Sequence, residues 1–242
     1  MTKWAMVIDH QKCVGCGACI IACKSENNLS EDISWSYKIT ETVGTFPNVR
    51  YHYIPTLCNH CEDAPCVRGC PTRAMHKIEG GITMHDPDKC IGCKACVFYC
   101  PYGVIYFNWS VPHTFWRNDK ALIKGCTTSP SEEVEEIGGK GTPYYNPERE
   151  DTLPVVRPKG VVEKCTFCDH RIKMGLLPAC VEACPADARI FGDLDDPDSE
   201  VNELLGKFKA YRLKEHMGTE PKIYYIRSFN PAEYTQTKGE VR

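Results

Sequence analysis

Sixteen cysteines arranged as four groups of four dictate what this 242-residue chain can fold into. The first group, Cys13, Cys16, Cys19 and Cys23, is spaced C-x2-C-x2-C-x3-C, and the third, Cys90, Cys93, Cys96 and Cys100, repeats that spacing. The second (Cys58, Cys61, Cys66, Cys70) and the fourth (Cys165, Cys168, Cys180, Cys184) widen the gap before their third cysteine. The flanking residues repeat as well. "DHQKCVGCGACIIAC" at 9–23 aligns without gaps on "DPDKCIGCKACVFYC" at 86–100, and "PCVRGCPTRA" at 65–74 matches "ACVEACPADA" at 179–188. Duplication of a cysteine-rich unit accounts for both matches. Cys126 is left over and reads as a buried free thiol.

Three chemistries compete for such a pattern. A disulfide framework of this density belongs to short secreted chains. This chain is long, and its start, "MTKWAMVIDHQKC", lacks the basic and apolar regions of a signal peptide. Structural zinc takes two ligands from each of two separated knuckles, so a third cysteine following at once in groups one and three is superfluous for it. A [4Fe-4S] cubane does need that third thiolate, because one short loop then wraps three iron corners. C-x2-C-x2-C-x3-C-P is the bacterial ferredoxin spacing, whose fourth cysteine ligates the other cluster in two-cluster proteins. Group three, followed by Pro101, fits it completely, whereas group one has Lys24 in the proline position.

The spacing also suggests which groups belong together. Nineteen residues separate Cys70 from Cys90, against 34 between groups one and two and 64 between groups three and four. Groups two and three therefore form an inner pair and groups one and four an outer pair, each combining one tight and one wide group. Exchange of the fourth cysteine predicts four centres: Cys13, Cys16, Cys19 with Cys184; Cys165, Cys168, Cys180 with Cys23; Cys58, Cys61, Cys66 with Cys100; and Cys90, Cys93, Cys96 with Cys70. The expected fold is α+β, with two bacterial-ferredoxin-like two-cluster modules. The outer module comprises 1–57 and 161–200, the inner 58–110, with an extended insertion at 111–160 and a C-terminal helix–strand extension at 201–242.

Between the groups the signals are short. "YKITETV" and "VRYHYIP" read as strands around the turn "GTFPN", "EGGITMHD" as a turn and strand, and "GVIYFN" and "KIYYIR" as strands. Each x3-C ending suits the first turn of a short helix. Val201, Leu204, Leu205, Phe208 and Tyr211 keep helical spacing, the mark of a core or interface stripe. Residues 127–160 hold Glu132, Glu133, Glu135 and Glu136 and five prolines, and read either as a solvated loop or as an arm reaching a partner. Lys89, Lys94, Lys164, Arg171 and Lys173, beside the cysteines, read mostly as solvated charges, with a lesser part as cations that tune a centre. His60 and His170 are not needed as ligands, since each group supplies four thiolates. The net charge of −3 and the lack of a basic stripe speak against nucleic acid. No apolar run is long enough to span a membrane. Walker A, G-x-G-x-x-G, H-E-x-x-H and G-x-S-x-G motifs are absent, so nothing marks a substrate-transforming site.

"TLCNHCEDAPCVRGCPTRAM", "DKCIGCKACVFYCPYGVI" and "EKCTFCDHRIKMGLLPACVEACP", in this order, resemble the electron-transfer subunits of the dimethyl sulfoxide reductase-type molybdopterin oxidoreductases. The resemblance spans nearly the whole chain and implies the same outer and inner pairing. Some members replace a group-three cysteine and hold a three-iron cluster. Here every position is cysteine, which implies four [4Fe-4S] clusters, with molybdopterin only in the partner. "ETVGTFPNVRYHYIPTLCNHC", "NPEREDTLPVVRPK" and "IYYIRSF" look most like the small subunit of respiratory arsenate reductase or the related arsenite oxidase. Polysulfide, thiosulfate and tetrathionate reductase subunits are the alternatives within the family, and a free-standing polyferredoxin the alternative outside it. The implied partners are a large molybdopterin catalytic subunit and a quinol-linked membrane anchor or cytochrome. The implied location is the periplasm, reached with a twin-arginine-signalled partner, with the cytoplasm as alternative.

Overall fold

The computed structural model describes residues 2–113, 130–138 and 145–228; Cys126 lies outside them. Its centre is β1 (Trp4–Asp9), whose sequence WAMVID is apolar up to its final residue because both of its faces are covered. Met6 and Ile8 point into the larger core cluster, while Ala5 and Val7 point into a smaller one. The strand sits in a four-stranded sheet of order β8-β1-β10-β9, where β8 is Arg189–Asp193, β9 Ala210–Tyr211 and β10 Ile223–Ile226. β1 pairs antiparallel with β8, Ile8 opposite Arg189, and parallel with β10, Met6 opposite Ile223. The chain's last described strand thus lies beside its first.

Helix α1 (Ala18–Glu26) follows group one, and α2 (Pro65–Arg68) and α3 (Ala95–Tyr99) carry the ends of groups two and three. The glycines of the C-x-G-C turns, Gly15 and Gly92, both have φ +69°, and a Cβ there would run into the Tyr53 ring or the Gly160 carbonyl. β2 (Ser36–Thr45) and β3 (Asn48–Leu57) form a ten-residue hairpin closed by Phe46-Pro47, tighter than the five-residue turn expected. Its base is buried and its tip exposed, with Phe46 89% exposed. β4 (Met75–Lys77) pairs with β5 (Thr83–His85), Met75 opposite His85. β6 (Tyr106–Phe107) pairs with β7 (Val162–Glu163); the expected strand at 103–108 is only two residues long.

Helix α4 (Pro130–Glu136) presents Glu132, Glu133, Glu135 and Glu136 on a surface turn of the chain. Residues 145–158 depart from both expectations for this stretch, because they are neither solvated nor projecting. Arg149, on a 3-10 turn at Pro147–Asp151, is fully buried and donates from Nη1 and Nη2 to Asp169 Oδ1 at 3.1 Å each, and to His170 Nδ1. Arg157, 2% exposed, pairs with Glu163 at 2.6 Å and donates to the carbonyls of Asn27 and Asn28. The segment is therefore a clasp over α1 and over α5 (Asp169–Lys173), the helix within group four.

The last helices are α6 (Ala179–Glu182) and α7 (Glu200–Lys207). Ser199 caps α7 by accepting from Asn202 N, and Val201, Leu204 and Leu205 pack it over Ala5 and Val7. The expected helical stripe stops short of its end. Phe208 has φ −122° and ψ 141°, and Tyr211 lies on β9, stacked on Tyr225 at 5.4 Å. Gly206 weakens the helix, and pairing of β9 with β10 offers the backbone a better alternative. Removing one partner of a buried ion pair leaves the other charge uncompensated. Arg149→Ala is expected to lower stability by about 3–5 kcal/mol, measured by chemical denaturation, and Asp169→Ala in the same background to add far less than it does alone.

Candidate iron–sulfur sites

Turns and short helices bring the cysteines together across long stretches of sequence. All sixteen cysteines among the described residues are free thiols. A cavity of about 440 Å³, counting its open mouth, is lined by Cys13, Cys16, Cys19 and Cys184, together with Val14, Ile20 and Arg189. A second, of about 320 Å³, is lined by Cys58, Cys61, Cys66 and Cys100, with Tyr102 and Ile105. In both, the fourth cysteine comes from a different group than the first three. Asn27 reaches with its amide to Cys23 Sγ at 3.7 Å and Cys168 Sγ at 3.8 Å, placing groups one and four side by side. Cys23 faces Cys165, Cys168 and Cys180, and Cys96 faces Cys90, Cys70 and Cys93, closely enough for each thiolate to oppose ionisation of its neighbours.

Helices follow the same pairing, α1 packing on α6 and α2 on α3. The junction between the two sets is made by His60 and Phe167. Each is the third residue of a C-x2-C turn, at φ +42° and +57°, and their rings stack at 3.7 Å. Both His60 and Phe167 are buried, and the Cys58 and Cys165 sulfurs of the same turns face one another.

Burial pushes these thiols up. Cys66 and Cys168 rise to about 12 and Cys61 and Cys96 to about 11, while Cys23, Cys165 and Cys180 also rise, desolvation being the largest cause throughout. Thiolates form in such places only where a metal supplies the countercharge. Backbone N–H groups are already aimed at sulfur: Met75 N to Cys70 at 3.4 Å, Phe167 N to Cys165 at 3.4 Å and Ala188 N to Cys184 at 3.3 Å.

Two buried cations point the same way. Lys164, 1% exposed, donates to the carbonyls of Thr83 and Cys165, and Arg189, 3% exposed, donates from Nη2 to Ser36 Oγ at 3.0 Å. Neither has a carboxylate within ion-pair distance among the described residues, and Arg189 Nε and Nη1 lack an oxygen or nitrogen acceptor there. Buried, uncompensated cations beside rings of thiols fit anionic iron–thiolate groups. A single zinc ion fits poorly, since no three His, Cys, Asp or Glu among the described residues converge on one ion-sized point.

Of the five cations flanking the cysteines, Lys164 is the buried one and so departs from the solvated reading that covers most of them, a choice the sequence could not signal because the burying residues come from β5 and group two. Arg171 pairs with Glu26 and Glu182, Lys89 with Asp86, and Lys94 lies 3.6 Å over the Trp109 ring. His170 donates from Nε2 to Glu26 Oε1, 2.7 Å away, and is not aimed at sulfur. Asn27 and Arg189 carry no mark in the sequence: each lies outside its C-x-C run, and only the repeat, which makes Arg189 the counterpart of Met75, could have singled out the latter.

Comparison with known proteins places these features. The family described as 4Fe-4S dicluster domain matches residues 49–116 and 117–194, and the 4Fe-4S binding domain matches 4–25. The chain is 57% identical over 227 residues to the arsenate respiratory reductase iron–sulfur subunit of Shewanella sp. (strain ANA-3), covering 94% of this chain and 97% of that protein. It is 41% identical to a selenate reductase subunit of Mesobacillus selenatarsenatis, covering 93% of this chain and 72% of that one. It is 38% identical to a putative dimethyl sulfoxide reductase iron–sulfur subunit of Halobacterium salinarum, covering 93% and 79%.

Hydrogen bonds to cluster sulfurs are one lever on reduction potential. Asn27→Ala removes the amide from Cys23 and Cys168, so the centre sharing those sulfurs is expected to become harder to reduce while the other centres hold. An EPR-monitored redox titration reads this directly.

Proposed function

The chain belongs to the iron–sulfur subunits of the dimethyl sulfoxide reductase-type molybdopterin oxidoreductases, and from that premise we propose that it is the electron-transfer subunit of a respiratory arsenate reductase, or of its arsenite-oxidising counterpart. The observation that carries the arsenate reading is the 57% identity, sustained over nearly the full length of both chains. When bound, four [4Fe-4S] groups supply one-electron carriers. Cys13, Cys16, Cys19 and Cys184 would hold the first, and Cys23, Cys165, Cys168 and Cys180 the second. Cys58, Cys61, Cys66 and Cys100 would hold the third, and Cys70, Cys90, Cys93 and Cys96 the fourth.

This assignment groups the chain into an outer module, from 1–57 and 161–200, and an inner module, 58–110, with the insertion at 111–160 and the extension at 201–242 as additions. The cavity linings, the Asn27 bridge and the α1–α6 and α2–α3 packing support it. So does the single dicluster match over 49–116, which spans groups two and three together. The protein's own work is positional. Tight turns hold each set of thiolates, the His60–Phe167 stack locks the two modules at a fixed separation, and apolar residues exclude water from the buried sulfurs.

The two exposed cysteines belong to the first and fourth quartets, which take no part in the Cys58–Cys165 junction and so would form the two ends of the wire. Cys16 is exposed near Val14 (64%) and Ile21 (67%), and Cys93 near Ile91 (68%) and Phe98 (85%). These two ends would meet the molybdopterin catalytic subunit and a quinol-linked membrane anchor or cytochrome, respectively or in reverse. No helix among the described residues is long and apolar enough to cross a membrane, which fits attachment through such a partner. Co-export with the catalytic subunit would place the complex in the periplasm.

Iron and sulfide analysis of the purified chain tests the reading, with four of each expected per quartet. The fourth-cysteine exchange is tested by substitution. Cys100→Ser and Cys61→Ser are expected to alter the same EPR signal, and Cys93→Ser a different one. Matching effects of Cys100→Ser and Cys93→Ser would instead assign Cys100 to its own group.

A further inference from the structure

Arg189 opens β8, five residues after the last cysteine of group four, and sits opposite Ile8 on the central strand. It lines the cavity surrounded by Cys13, Cys16, Cys19 and Cys184. The same guanidinium faces Cys180 and Cys23 of the neighbouring quartet, and favours the charged forms of Cys180, Cys13 and Cys23. Its surroundings are almost closed, at 3% exposed, with one hydrogen bond to Ser36 and two nitrogens left without oxygen acceptors. The only other cation lining that cavity among the described residues, Lys38, is held at its rim to the Gly15 carbonyl and over the Tyr53 ring, so water screens it.

The duplication supplies an internal control. Aligning "CPADAR" at 184–189 on "CPTRAM" at 70–75 places Met75 where Arg189 stands. The register agrees: Met75 pairs with His85 on β5, and Arg189 pairs with Ile8 on β1, His85 and Ile8 being equivalent positions of the other repeat. His85 is buried and its pKa is lowered to about 4, chiefly by desolvation, so it is neutral at pH 7. One half of the molecule thus carries a permanent charge at a position where the other half carries none.

We propose that Arg189 is a potential-setting residue for the two outer centres, a fixed cation walled in between the quartet completed by Cys184 and the quartet completed by Cys23. Reduction adds one negative charge to a centre, and a guanidinium in a low-dielectric setting stabilises the more negative state. Arginine suits the position because its guanidinium stays charged when buried. At the Met75 position the inner centres have no such arginine, and the cations beside them are the lysines Lys164 and Lys77. The inference rests on the quartet assignment proposed above.

Redox titration followed by EPR, on the anaerobically purified protein with its clusters, tests it with Arg189→Met, the residue the inner repeat uses. The two outer centres are expected to shift downward by at least tenfold in their one-electron reduction equilibrium, about 59 mV, while the two inner centres stay in place. Arg189→Lys is expected to keep most of the wild-type potentials, and Arg189→Gln to follow Arg189→Met. If Arg189→Met loses its outer clusters, the Lys and Gln variants decide, because equal potentials in those two would overturn the proposal. Full cluster content with unmoved outer potentials, or a common shift of all four centres, would also overturn it and leave the assignment standing. The assignment itself fails if the centres altered by Cys184→Ser and Cys23→Ser are not the two that Arg189 faces, and the inference falls with it.

Discussion

Buried sulfur that cannot ionise unaided is the constraint on which the rest of this structure depends. Seven cysteines belong to the main core cluster beside Met6, Ile8, Trp35 and Tyr225. Without iron, their thiols stay protonated and the volumes they surround hold nothing to pack against. With iron, thiolate charge, metal charge and the apolar lining are satisfied together, so ligation and folding become one event. The elements themselves could not stand alone. The described helices are four to nine residues long, below the length at which an isolated helix persists in water.

The second consequence is that the two halves meet through the ligand turns themselves. His60 and Phe167 occupy the same place in equivalent C-x2-C turns and stack ring on ring, a contact that a duplicated unit meeting its own copy generates naturally. His60 is kept neutral by burial and by the nearby ammonium groups of Lys164, Lys77 and Lys222. Those cations surround the junction rather than the solvent face, where water would screen them. The centres nearest the junction are therefore held in a drier and more positive setting than the composition of the whole acidic chain suggests.

What the sequence made legible was the part governed by local rules. Ligand spacing, the hairpin at 36–57 and the closing strand at 223–226 all follow from short-range chemistry, whereas the central strand β1 and its partners β8 and β9 carry no such signal and emerge only from the fold. The features it hid depend on distant chain. Lys164 looks like any lysine beside a cysteine until β5 and group two close over it. Arg149 and Arg157 sit in a stretch rich in proline and glutamate, and only the fold reveals Asp169 and Glu163 waiting for them. The helical stripe from Val201 to Tyr211 holds for its first half alone, because strand pairing with β10 takes over after Lys207.

The clasp at 145–158 raises the question of what it is for, and magnitude answers it. Group one must find group four across 142 positions, from Cys23 to Cys165, whereas Cys70 and Cys90 are 20 positions apart. Loop-closure entropy grows only logarithmically, so the outer pairing costs about 2 kcal/mol more than the inner. The β1–β8 pairing already joins the strands that flank groups one and four without the clasp. Its arginines do something closure entropy does not require. Arg157 donates to the carbonyls of Asn27 and Asn28, just past the end of α1, where the helix leaves acceptors unpaired and its dipole favours a cation. Those carbonyls are buried because Asn27 must sit between Cys23 and Cys168. Placing an amide beside two sulfurs thus strands backbone acceptors away from water, and the clasp is the segment that satisfies them.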